Sequence, residues 1–329
     1  MSKTSMNSKA IECPSSLLHA ARSGTPAPAG APPGWLGATR PPLVAVDTHA
    51  HVFVRGLPLA AQRRHAPEYD ATIETYASYL APYGLSHAVL VQPSFLGTDN
   101  RFFVDVMRRY PHRLRGVAVV APSAGDAELD ALAQAGVAGI RLNLIGLPLP
   151  DLSQPAWRNL LAHVNALGWH VEVHREAADL PALVGALLAH RCTVVVDHFG
   201  RPSPDLGIDD PGFRYLLSVA STGRVWVKLS GAYRSMRSGS VEFAGASAGN
   251  MRDADGTGLG ARLAAPLLEA FTPERLVWGS DWPHTEHRQH VDYDTTRMAL
   301  DVWVPDAAQR ETILTRSPQT LYRFDAYAG

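Results

Sequence analysis

Two histidines one residue apart, His49 and His51, stand where an apolar, β-branched run over residues 43–46 ends. Side chains alternate along an extended strand, so both imidazoles then project to the same side. Two ring nitrogens so placed can clamp a metal ion or flank a reacting carbonyl. Further along the chain, other chemistry-bearing residues recur at the ends of apolar runs. They are Gln92 and Ser94, Arg141 and Asn143, His174, His198, Tyr233 and Arg234, and Asp281 with His284. A carboxylate among imidazoles is the equipment for activating a water, and arginines make forked contacts to a carboxylate. Taken singly, each has a plain structural role: Asp281 as a helix cap, His198 as a hydrogen-bonded strand edge, Arg141 and Arg234 as paired surface charges. Their joint placement argues for one site.

The elements that position them alternate. Apolar runs over 43–49, 87–94, 114–120, 138–143, 169–174, 192–198, 224–230 and 275–281 read as strands. Helical periodicity covers 70–83, 99–110, 125–135, 153–167, 179–189, 210–220, 262–270, 293–302 and 306–315, with Asp99 as an N-cap of the second. Strictly alternating strand and helix implies a parallel α/β sheet, and eight units over about 280 residues imply a (β/α)8 TIM barrel. A doubly wound open sheet is the second choice, but no glycine-rich phosphate turn follows the first strand. In a barrel all strand C-termini meet at one mouth, which brings the candidate residues together. Residues 1–42, rich in Ser, Ala, Gly and Pro, are expected to be a poorly ordered tail, and 43–329 the barrel. A glycine-rich stretch over 238–260 interrupts the rhythm after the seventh strand, as a lid or a solvated insertion. His65, His112, His163, His190 and His290 read as surface residues, and His87 and His170 as lying at strand starts, away from the chemistry.

Bulk properties narrow the function. The chain has 329 residues, 46% hydrophobic and 19% charged, with a net charge of −1. No block of like charge points to nucleic acid or to a membrane surface, and no apolar run nears the roughly 18 residues a span needs. Cys13 and Cys192 form no metal-ligand or disulfide pattern, so a cytoplasmic setting is expected. A small anionic substrate suits this composition, and an oligomer is allowed.

The ordered series resembles the amidohydrolase superfamily, in the branch of the 2-pyrone-4,6-dicarboxylate lactonases. The matching stretches are Asp47-Thr48-His49-Ala50-His51-Val52-Phe53, Val91-Gln92-Pro93-Ser94, Gly139-Ile140-Arg141-Leu142-Asn143, Val196-Asp197-His198-Phe199-Gly200-Arg201-Pro202, Lys228-Leu229-Ser230-Gly231-Ala232-Tyr233-Arg234 and Gly279-Ser280-Asp281-Trp282-Pro283-His284. The resemblance implies a lactone hydrolase acting on a small carboxylate-bearing or sugar-acid substrate. It makes Asp281 the base that activates water, with His49, His51 and His198 polarising the carbonyl or assisting proton transfer. Ser94, Arg141, His174, Arg201, Tyr233, Arg234 and His284 would contact substrate. Two departures matter. The fifth run ends on His174 where the metal-free branch carries tyrosine, while metal-using relatives carry histidine. His49, His51, His174 and Asp281 would then hold one divalent ion, zinc or manganese, with a metal-free site as the alternative. A metal-dependent decarboxylase or hydratase of an aromatic or unsaturated acid is the corresponding alternative function. The residues after the fourth run, 145–149, are apolar where that branch has another basic group, which weighs against a dicarboxylate.

Overall fold

The computed structural model describes residues 34–37, 39–236 and 255–324. Its strands are β1 Val46–Ala50, β2 His87–Val91, β3 Leu114–Ala118, β4 Val137–Asn143, β5 His170–His174, β6 Thr193–Val196, β7 Val225–Leu229 and β8 Leu276–Trp278. Between them run α1 Ile73–Leu80, α2 Arg101–Arg109, α3 Asp126–Gln134, α4 Pro155–Ala166, α5 Leu180–Ala189, α6 Pro211–Ser218 and α7 Thr257–Phe271. After β8 come α8 Tyr293–Trp303, α9 Ala307–Glu311 and α10 Ser317–Tyr322.

The eight strands pair in chain order and all in parallel. β1 meets the segment after β8 through Asp281 N–H to His49 O and His51 N–H to Trp282 O, both 2.8 Å. The sheet therefore curls into a (β/α)8 barrel, and the open doubly wound alternative falls away. Such strands are covered on both faces, which is why they read as near-continuous apolar runs. Val46, Val89, Val117, Val195 and Val277 pack with Tyr322 and Phe324 from the chain's end, which plug the floor. A second, larger cluster, including Leu90, Val171, Val194 and Leu229, seats the outer helices on the sheet.

Three expectations shift. The N-cap of α2 is Asn100, not Asp99, and Asn100 spends its amide on Val119 N–H and C=O instead of the helix. α7 begins at Thr257, inside the stretch read as insertion, and it packs so tightly that a Cβ on Gly260 would sit 2.3 Å from Trp303 Nε1. The rest of that insertion, 238–254, lies outside the described residues, as do residues 1–33 and 38 of the tail. Trp35, within the expected tail, is buried and donates its Nε1–H to Leu85 O at 2.7 Å. No helix among the described residues is long and apolar enough to cross a membrane.

Candidate active site

The strand ends converge on a cleft at the C-terminal mouth of the barrel. His51, Ser94, Arg141, His174, His198, Arg234 and Asp281 line it, all anticipated from sequence. His49 lies directly beneath, Tyr233 behind Asp281, Arg201 behind His174, and His284 beyond Tyr233. Several of these residues carry strained backbone. His198, Arg201, Asp281 and His284 all have φ between 50° and 61°. Left-handed non-glycine residues cost of order 1–3 kcal/mol each and collect at functional sites.

Asp281 is fully buried, and its two oxygens differ. Oδ2 accepts from Tyr233 Oη at 2.7 Å and from the Arg234 guanidinium. Oδ1 has no hydrogen-bond partner and lies 3.9 Å from His49 Nε2 and 3.8 Å from His51 Nε2. Burial opposes the charge, but the Arg234 guanidinium holds the carboxyl well below its usual range. It is ionised, with one bare oxygen facing the cleft. Gly231, at φ 52°, lets the backbone pass here: a Cβ would fall 2.7 Å from His198 Nδ1 and 3.0 Å from Asp281 Oδ2.

The imidazoles are neutral. Burial first, and then Arg141, lowers His51 to about 4. Burial lowers His198 to about 3 and, with Lys228, takes His49 well below its ordinary value. Their hydrogen bonds set the tautomers. His51 Nδ1 is 2.8 Å from the carbonyl of Val91. A carbonyl only accepts, so Nδ1 carries the proton and Nε2 offers a lone pair. His49 Nδ1 is 3.0 Å from Lys228 Nζ. An ammonium only donates, so His49 carries its proton on Nε2.

Beneath the site sits a buried charge network that sequence reasoning did not assign. Lys228 pairs with Glu172 and lies 3.4 Å from Asp197, while Arg141 reaches Glu172 at 3.1 Å and Asp197 at 2.7 Å. Two cations meet two carboxylates, and burial with the neighbouring Asp197 pushes Glu172 up to about 7. Arg141 thus works first as a structural counter-ion, although it also faces the cleft. The alternation His170, Glu172, His174 along β5 was the available clue, since residues two apart share a face. Arg64 and His65, from the loop between β1 and α1, also line the cleft and were not anticipated.

His49, His51 and Asp281 each offer a ligand atom, all within 4.8 Å of one another, as do His49, Asp197 and His198. The bare Oδ1 of Asp281 and the unpartnered Nε2 of His49 fit a divalent ion. Coordination through that Nε2 would shift the His49 proton to Nδ1, which lies 3.4 Å from Asp197 Oδ1. The structure does not group His174 with them: its nitrogens face Arg141 at 3.3 Å and Arg201 at 3.4 Å, and guanidinium groups occupy both sides.

A parallel barrel with a carboxylate and imidazoles at its C-terminal mouth has the make-up of a water-activating hydrolase. The chain belongs to the amidohydrolase family, whose model matches residues 46–324. It is 33% identical over 302 residues to a 2-pyrone-4,6-dicarboxylate hydrolase of Comamonas testosteroni, covering 88% of this chain and 96% of that one. It is 28% identical over 283 residues to a 4-sulfomuconolactone hydrolase of Hydrogenophaga intermedia, covering 84% and 88%. Among solved structures, one from Acinetobacter baumannii, assigned to the 2-pyrone-4,6-dicarboxylic acid hydrolases and holding citric acid, matches with TM-score 0.77 and 37% identity. It covers 85% of this chain and 99% of that one.

Proposed function

We propose that this protein hydrolyses the ring of a small, carboxylate-bearing lactone. The observation that carries the reading is Asp281: one oxygen tied to Tyr233 and Arg234, the other bare beside two neutral imidazoles in an arginine-lined cleft. The lactone chemistry of the relatives supports it. A water beside Oδ1 gives its proton to Asp281 as its oxygen adds to the lactone carbonyl. The carbonyl oxygen becomes an oxyanion and, with no ion on that nitrogen, accepts from the Nε2–H of His49, a preplaced donor in a water-poor site. Collapse breaks the ring C–O bond, and the leaving oxygen takes up the proton that Asp281 received. His198, whose ring centre is 4.9 Å from that of His49, is placed to relay it. Arg234 sits beside the reacting centre and gives a substrate carboxylate a charge-assisted contact.

His49, His51 and Asp281 would hold a divalent ion, zinc or manganese, which when bound lowers the pKa of a coordinated water. Protein purified without added metal is expected to carry about one equivalent, read by elemental analysis, for a site of this ligand set. A metal-free protein with full activity would leave His49 and His51 acting on water and carbonyl directly. The decarboxylase alternative leans on His174 as a ligand, and the two guanidinium groups at its nitrogens remove that support.

Asp281→Asn tests the central role. Replacing a positioned base is expected to lower kcat on a responsive lactone by about 10²–10⁴-fold. A panel of lactones scored by acid release finds that substrate, and an Asn variant with undiminished turnover would sink the mechanism.

A further inference from the structure

Arginines crowd the cleft, and they are not equally neutralised. Arg141 is paired with Glu172 and Asp197, and Arg234 with Asp281. Arg64 and Arg201 have no carboxylate within ion-pair distance among the described residues. The acids near them are turned elsewhere: Glu176 to Arg175 at 3.3 Å, and Glu286 to His65 at 3.4 Å. Arg64 Nη2 reaches only the amide oxygen of Asn143, at 3.5 Å. Arg201 Nη1 lies 3.4 Å from His174 Nε2, and its Nε is buried without a partner.

These two cations stand together. Asn143 ends β4, His174 ends β5, and the two residues are paired across the sheet. Arg64 on Asn143 and Arg201 on His174 therefore occupy neighbouring strand ends. They feel one another and Arg234: burial and these two like charges lower Arg201 to about 10. Arg64 is exposed at the rim and Arg201 half-buried; like charges gathered there without an anion repel, and an anion bound between them offsets that repulsion. The apolar stretch 145–149 after β4 offers no such contact, and Arg64 supplies one from the loop after β1.

We propose that Arg64 is a specificity-determining residue: with Arg201 it holds a second anionic group, so the cleft selects lactones that carry two. One anionic group meets Arg234 near the reacting carbonyl, and the other is held at the rim. The inference rests on the lactonase reading for its substrate, and the anion subsite is measurable without turnover.

Benzene-1,3-dicarboxylate and benzoate are titrated by calorimetry into the wild type and into Arg64→Met. Losing one charge-assisted contact is worth about 10–100-fold in affinity. The wild type is expected to prefer the dicarboxylate by at least that much, and Arg64→Met to bring the two ligands within about threefold of each other. Arg64→Lys, which keeps the charge without the fork, is expected to fall between them. Equal affinity for both ligands in the wild type, or a preference unchanged in Arg64→Met, overturns the proposal. With lactones, the preference for 2-pyrone-4,6-dicarboxylate over 2-pyrone-6-carboxylate collapses in the same variant. A wild type that binds the dicarboxylate tightly yet opens no lactone would sink the lactonase reading and leave the anion subsite standing.

Discussion

The two ends of the barrel both bury histidines, with opposite results. At the floor, His170 is fully enclosed, its nitrogens unpartnered and its ring against Tyr322 at 5.3 Å. His87 packs on Phe324 at 5.0 Å and shares a hydrogen bond with Ser86 at 2.8 Å. Burial leads in lowering both, His170 to about 3 and His87 to about 4. At the mouth, His51 is lowered as far by the same cause. The difference lies in what faces the ring. The floor imidazoles meet aromatic plugs, whereas His49 and His51 meet a carboxylate oxygen that nothing inside the protein satisfies. A perturbed imidazole is therefore not a site by itself. Convergence on an unpartnered charge makes it one.

Three substitutions press on that contrast. The largest effect is expected at the layer between the ends. Lys228→Met leaves Glu172 and Asp197 buried with Arg141 as their only Lys or Arg partner among the described residues, and breaking a buried pair costs about 3–5 kcal/mol. Urea unfolding measures it, and a loss below about 1 kcal/mol would mean that the network is not held neutral by this lysine. Next is the mouth against the floor. His51→Leu removes a ring that faces the bare oxygen and is expected to lower kcat by about 10²-fold or more. His170→Leu is expected to leave kcat/KM within about twofold and to change stability at neutral pH by less than about 1 kcal/mol, since it removes an unpartnered polar group. If both variants lost activity alike, the distinction between the two ends would fail.

The effect that is smallest at neutral pH appears as a slope in acid. His170 takes up its proton at about 3 when folded and near the ordinary 6.5 when unfolded. Between those values the unfolded chain binds more protons, so this residue's contribution is complete above 6.5 and is lost as pH falls toward 3. His170→Leu should flatten the acid fall in stability by up to about 1.4 kcal/mol per pH unit in that window. Parallel slopes for variant and wild type would place the acid sensitivity on other groups.

Much of this molecule was legible in the chain. The strand and helix alternation led to the barrel, because buried parallel strands must be apolar on both faces and amphipathic helices must cover them. His51, Ser94, Arg141, His174, His198, Arg234 and Asp281 stood at run ends, and barrel geometry sends run ends to one mouth. Other residues were hidden for identifiable reasons. Glu172 and Lys228 sit inside apolar strands, where a lone charge reads as a break in pattern until a partner 56 residues away is seen beside it. Arg64 and His65 lie in a loop with no periodicity to say where it folds. Arg234 was legible as a contact for substrate, but its present partner is Asp281.

Local order along the chain determined which residues would be extended, which helical, and which polar groups would emerge at the mouth. Those outcomes follow from side-chain period and backbone propensity, which need only near neighbours. The tertiary structure alone decided which charges cancel and which remain bare. Lys228 turns the proton of His49, 179 residues away, onto Nε2, and Tyr233 with Arg234 takes one oxygen of Asp281 and leaves the other. Electrostatic pairing depends on distance in space and on burial, and neither is written in the order of the residues.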